Sequence, residues 1–125
     1  MILTGAILPE RGPRREPPST KEPKLTSIAL HTRLLPDTVD TYESVHAVIP
    51  ADLDAALRRA GVTGWRIWRD GLDLFHVVEV EDFDQMNALL EVEPADIAWQ
   101  SRINALLHAA GRAATPLGLV WELPA

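Results

Sequence analysis

No cysteine occurs anywhere in the 125 residues. A disulfide scaffold, a thiolate metal site and a cysteine nucleophile are therefore excluded, and the composition suits a reducing cytoplasm, the expected location. Long apolar runs are also missing. None approaches the roughly 20 residues that a membrane-spanning helix needs, so no membrane partner is expected. Residues 1–8 are apolar, but Arg11, Arg14 and Arg15 come after them, the reverse of a secretory leader, and export is not expected. There is no glycine-rich phosphate loop, no cluster of metal-ligating residues at ligand spacing and no Gly-x-Ser-x-Gly elbow. The chain asks for no metal, nucleotide or other cofactor.

Positive charge is scarce. The net charge is -6, and residues 1–24 carry five Lys/Arg against three Glu, which leaves seven Lys/Arg against fifteen Asp/Glu in the remainder. A domain at -8 repels phosphate backbones, so nucleic acid is not an expected partner. A neutral or cationic small molecule, or another protein, is easier to accommodate.

The remaining sequence divides at residue 25. Five of the ten prolines (Pro9, Pro13, Pro17, Pro18 and Pro23) precede it, and residues 9–24 show no apolar periodicity. Such a segment buries too little surface to offset its ordering entropy, and 1–24 reads as a disordered arm. Residues 25–125 read as one α/β domain of six elements. Residues 27–34 alternate as a strand, with Ile28, Leu30 and Leu34 on one face and His31 and Arg33 on the other. Asp37 is the expected N-cap of a helix to about Ala60, with the stripe Val39, Tyr42, His46, Ile49, Leu53 and Leu57, kinked or split at Pro50. Residues 64–69 and 72–80 are strands joined through Asp70-Gly71, a type I′ hairpin signal. Asp82 opens a short helix with Phe83, Met86 and Leu90 inward. Pro94 opens another, with Trp99, Ile103, Leu106 and Ala110 on one face and Gly111 as its cap. Residues 117–123 form the expected last strand. The order is βαββαβ, the ferredoxin-like α+β arrangement, whose helices cover one sheet face and leave the other to a ligand or a second subunit.

The candidate site is a pocket for an uncharged ligand, centred on Tyr42, His46 and Trp99. Tyr42 and His46 are four apart on one helix face, so a phenol lies beside the side chain that titrates near neutral pH. Both also fit a plain structural role, as half-buried core residues whose polar tips meet backbone. His31 and Arg33 orient oxygen atoms if their strand face lines a pocket or subunit interface, and are ordinary surface residues if it does not. Glu79 shares a strand face with Phe75 and Val77. His76 lies on the opposite face with Leu74, Val78 and Val80, where a satisfied core histidine is the simpler reading. Trp65 and Trp68 occupy opposite faces of their strand, and a flat indole suits either the C–H face of a sugar ring or a core.

The run Tyr42-x3-His46…Pro50, Gly61-x3-Trp65-x-Ile67, Asp73-Leu74-Phe75, Glu79-x-Glu81-Asp82, Trp99 with Ile103, and Val120-Trp121-Glu122-Leu123-Pro124 resembles the L-rhamnose mutarotase family over about residues 27–124. The resemblance implies a dimeric α/β barrel, hence a homodimer, and cofactor-free interconversion of the α and β anomers of a monosaccharide, L-rhamnose or another 6-deoxy sugar. It implies His46 as the proton-transferring residue, Tyr42 and Trp99 on the sugar, and Trp65 where the family commonly has a sugar-contacting tyrosine. His31, Arg33 and Glu79 are the pool for a second proton-handling or substrate-binding group. Ile49 replaces a family tryptophan, and Pro50 comes one residue early after His46, which turns the next residues by about 100° on a helix and alters the pocket wall. A sugar-binding module without turnover, or another cofactor-free enzyme on the same fold, are the alternatives.

Overall fold

The computed structural model describes residues 25–109, 114 and 116–125. In chain order the elements are β1 (Thr26–Arg33), α1 (Val39–Ala47), α2 (Ala51–Arg59), β2 (Val62–Asp70), β3 (Asp73–Val80), α3 (Phe83–Glu91) and α4 (Pro94–Asn104). The class is α+β: the three strands form an antiparallel sheet in the order β1-β3-β2, with four helices. The proline-rich arm and the expected Gly111 cap lie outside the described residues.

The period-two pattern of the central strand decides the layering. In β3, Leu74, His76, Val78 and Val80 are buried, while Asp73, Phe75, Val77 and Glu79 alternate with them on the other face. The buried face meets the helices in two clusters. One joins Leu30, Val78 and Val80 to Met86 and Leu90 of α3, and the other joins Leu34 and Leu74 to Tyr42, Leu53, Trp99 and Ile103. Among the described residues no helix covers the opposite face, and Phe75 and Trp68 on it are 41% and 52% exposed.

Local chemistry departs from expectation at Asp37, at the hairpin and in the C-terminal segment. Asp37 does not cap α1. It holds a left-handed φ of 69°, and Thr38 is the N-cap residue, its hydroxyl donating to the carbonyls of Leu35 at 2.7 Å and Leu106 at 3.1 Å. The split expected at Pro50 does occur: proline cannot donate a backbone hydrogen bond, and α1 ends at Ala47 while Pro50 stands at the N-cap of α2. The β2–β3 hairpin pairs Asp70 with Asp73, so its loop is Gly71-Leu72, and only Gly71 has a positive φ, 62°. That is the pattern of a type II′ turn rather than type I′. Asp82, by contrast, caps α3 as read: the Gln85 N–H donates to the Asp82 carboxylate at 3.0 Å.

The fourth strand is the larger correction. Residues 117–123 have no regular strand structure; contact with the β1 edge is limited to a bridge between Pro116 and Leu30 and a bond from the Leu117 N–H to the Ala29 carbonyl at 2.8 Å. Pro116 has no N–H to add to a ladder, and Gly118 supplies no side chain to pack. Beyond them Leu119, Val120, Trp121 and Leu123 are exposed.

Candidate active site

A cavity of about 640 Å³ opens between the covered sheet face and the helices. Tyr42 and His46 reach it from α1, Trp65 from β2, His76 from β3, and Asp96 and Trp99 from α4.

The helical spacing of Tyr42 and His46 stacks their rings, 4.0 Å between centroids and 30° between planes. The edge of Trp99 completes the group, 5.0 Å from the imidazole at 78°. His46 Nδ1 lies 2.9 Å from the Tyr42 backbone carbonyl. A carbonyl only accepts, so Nδ1 carries the proton and donates, and Nε2 is left with the lone pair. Burial holds this imidazole below its ordinary pKa of 6.5, against the opposing pull of that carbonyl bond. It is therefore a neutral base at neutral pH. Burial pushes the Tyr42 phenol up to about 12, so it keeps its proton and can donate a hydrogen bond.

A second polar group crosses the sheet beside this one. The Trp65 indole N–H donates to His76 Nδ1 at 3.1 Å, and His76 Nε2 lies 2.9 Å from the Thr32 hydroxyl. Since Nδ1 accepts, Nε2 carries the proton and donates to Thr32. Burial first, with repulsion from His46 and His31 adding to it when those rings are protonated, pulls the His76 pKa down to about 4. On α4, Asp96 lines the same cavity one turn before Trp99, and burial raises its carboxyl above the ordinary range, opposed by a bond from Gln100.

The other expected site residues lie elsewhere. His31 and Arg33 stand on the open sheet face, where both reach the Asp73 carboxylate, at 2.9 and 3.1 Å, and hold it below the usual carboxylate range. Glu79 is on that face too, against Gly64, where an added Cβ would come within 3.1 Å of its carboxylate oxygen. None of the three lines the cavity. Asp96 gave no sequence signal, since one acid in the first turn of a helix is ordinary. His76 was legible as a satisfied core histidine, but its place in the cavity wall depends on the β2–β3 register.

The model of the L-rhamnose mutarotase family matches residues 27–123, most of the chain. The chain belongs to the L-rhamnose mutarotase family. As a member it is an isomerase that interconverts the anomers of a sugar. In fold it is similar to the crystal structure of L-rhamnose mutarotase from Formosa agariphila, with a TM-score of 0.65 at 17% identity over 79% of this chain and 99% of that one. It is also similar to Rv0793 from Mycobacterium tuberculosis, with a TM-score of 0.51 at 14% identity over 81% of this chain and 100% of that one. No curated protein sequence matches it. Among the described residues of this mutarotase-family chain, no helix is long and apolar enough to cross a membrane.

Proposed function

We propose that this mutarotase acts without a cofactor on L-rhamnose or another 6-deoxy sugar, with His46 as the general base. The observation that carries the assignment is the His46 tautomer: Nδ1–H held by the Tyr42 carbonyl, Nε2 free to accept, in the wall of a cavity large enough for a monosaccharide. Nε2 takes the proton of the anomeric hydroxyl as the bond between C1 and the ring oxygen breaks and the ring oxygen gains a proton. The open aldehyde turns about C1–C2. Reclosure on its other face reverses both proton transfers, so no atom is gained or lost.

The ring oxygen needs its own donor. Asp96 fits, because its raised pKa keeps a proton on the carboxyl to higher pH than an exposed aspartate would. Tyr42 donates to a sugar hydroxyl, and the indoles of Trp65 and Trp99 pack on the ring. The proposal leaves His31, Arg33 and Glu79 outside the sugar site. Saturation-transfer exchange over a panel of aldoses tests it: the purified protein accelerates anomer exchange of a 6-deoxy sugar above the buffer rate. Line broadening without acceleration for every sugar would refute it.

The open sheet face and the exposed tail suit a second copy of the chain, as in a dimeric barrel located in the cytoplasm. Phe75 and Trp68 on the face, with Leu119, Val120, Trp121 and Leu123 after it, are apolar surface that dimerisation would bury. Light scattering at micromolar concentration is expected to give twice the 13.8 kDa chain mass. A monomer would rule out the barrel.

A further inference from the structure

We propose that His76 is a positioning residue that clamps the Trp65 indole against the cavity, so that β2 presents an aromatic face and no hydrogen-bond donor to the sugar. The inference rests on the mutarotase reading for what binds there, but the clamp itself is a matter of geometry. Thr32, His76 and Trp65 are diagonal neighbours on β1, β3 and β2, since Leu30 and Ile67 stand opposite His76, and Thr32 and Trp65 stand two residues on. The three form one polar row across the middle of the covered face, among Leu30, Ile67, Leu74 and Val78. Each ring nitrogen of His76 has one partner, and the roles are fixed: Trp65 N–H to Nδ1, Nε2–H to the Thr32 oxygen.

With both nitrogens engaged and the residue 8% exposed, His76 is no proton acceptor for a substrate, although it shares the cavity with His46. With its N–H engaged, Trp65 offers a ligand only its π face, at an interplanar angle of 75° to the imidazole. A wall of that kind matches the C–H face or methyl group of a sugar and leaves a hydroxyl pointed at it without a partner.

A pair of substitutions separates the clamp from packing. The amide oxygen of asparagine stands near the position of Nδ1, whereas the amide nitrogen of glutamine stands near Nε2. His76→Asn therefore keeps an acceptor for Trp65, and His76→Gln keeps only the donor to Thr32. In protein carrying ¹⁵N-tryptophan, with the Trp65 indole signal identified by its absence from Trp65→Phe, His76→Gln should move that proton upfield and speed its exchange with solvent. His76→Gln should also weaken L-rhamnose binding about tenfold, the factor that one net hydrogen bond carries, with a smaller change in kcat. His76→Asn should restore most of the signal and the affinity. Equal losses in both variants, or an indole signal that stays put in His76→Gln, would overturn the clamp. If His76→Gln does not fold, Trp65→Phe tests the other partner: removing the donor should let His76 take up a proton at higher pH, and an unmoved titration would refute the assignment. A wild-type protein without exchange activity would remove the mutarotase reading alone, because the indole signal still decides the clamp.

Discussion

His46→Asn should lower catalysed anomer exchange by about 10²–10⁴-fold, the contribution of one positioned general acid or base, in a protein that still folds. The choice of asparagine is dictated by the tautomer. Its amide N–H₂ sits near the place of Nδ1–H and can keep donating to the Tyr42 carbonyl, so the bond that ties the imidazole to α1 has a substitute. What disappears is Nε2, the atom with the free lone pair. Sugar affinity should change much less, because Tyr42, Trp65 and Trp99 remain. A purely structural His46 predicts the reverse, a loss of about 1–3 kcal/mol in stability with turnover per folded molecule intact. The ring is only partly buried, stacking on Tyr42 and meeting Trp99 edge-to-face, so its removal leaves no deep cavity. A melting curve and an exchange rate measured on this one variant give opposite answers under the two readings. Wild-type exchange from a stable variant would end the assignment.

Much of the fold was legible because burial and periodicity coincide. The alternation in β1 and β3 told which face each residue takes, and every face assignment made for His31, Arg33, His76, Glu79, Trp65 and Trp68 agrees with the pairing. Less legible were places where a neighbour in space overrides local signal. Asp37 carries cap chemistry, but the carbonyls of Leu35 and Leu106 recruit Thr38, and the second of them is 68 residues away in sequence. Residues 117–123 carry strand chemistry, but a strand also needs a partner along its length, and among the described residues the ladder contacts of this segment are those at Pro116 and Leu117. The site divides in the same way. The Tyr42–His46 stack is local, an i,i+4 relation on one helix, and could be read directly. The Trp65–His76–Thr32 row joins residues 11 and 44 apart and needs the register of three strands. Asp96 owes its unusual environment first to burial, with the Glu93 charge adding to it, and no motif announces burial.

The same row makes the fold sensitive to acid, and stability should fall by about 2 kcal/mol between neutral pH and pH 5 and by about 3 kcal/mol at pH 4. In the unfolded chain His76 titrates near 6.5, and in the folded protein near 4. Its folded pKa is depressed, so between these values the unfolded state binds the extra proton and the folded state does not. The contribution is fully present above about 6.5 and is lost as pH falls toward 4. Protonating the folded ring would set a second N–H against the Trp65 indole N–H, two donors facing each other where there is now a bond. His46 pulls in the same direction, since burial lowers its pKa as well. Asp96 pulls the other way near the bottom of the window, because its raised pKa favours the protonated folded form. Asp73 enters only below its ordinary value of 3.8, beneath the window. Urea unfolding at pH 7, 6 and 5 should therefore show most of the loss before the carboxylates titrate, with a melting temperature lower by roughly 10 °C at pH 5 for a domain of this size. His76→Gln starts less stable but should show a flatter profile, keeping only the share due to His46. An equal slope in the two proteins would mean that His76 is not held neutral by the fold.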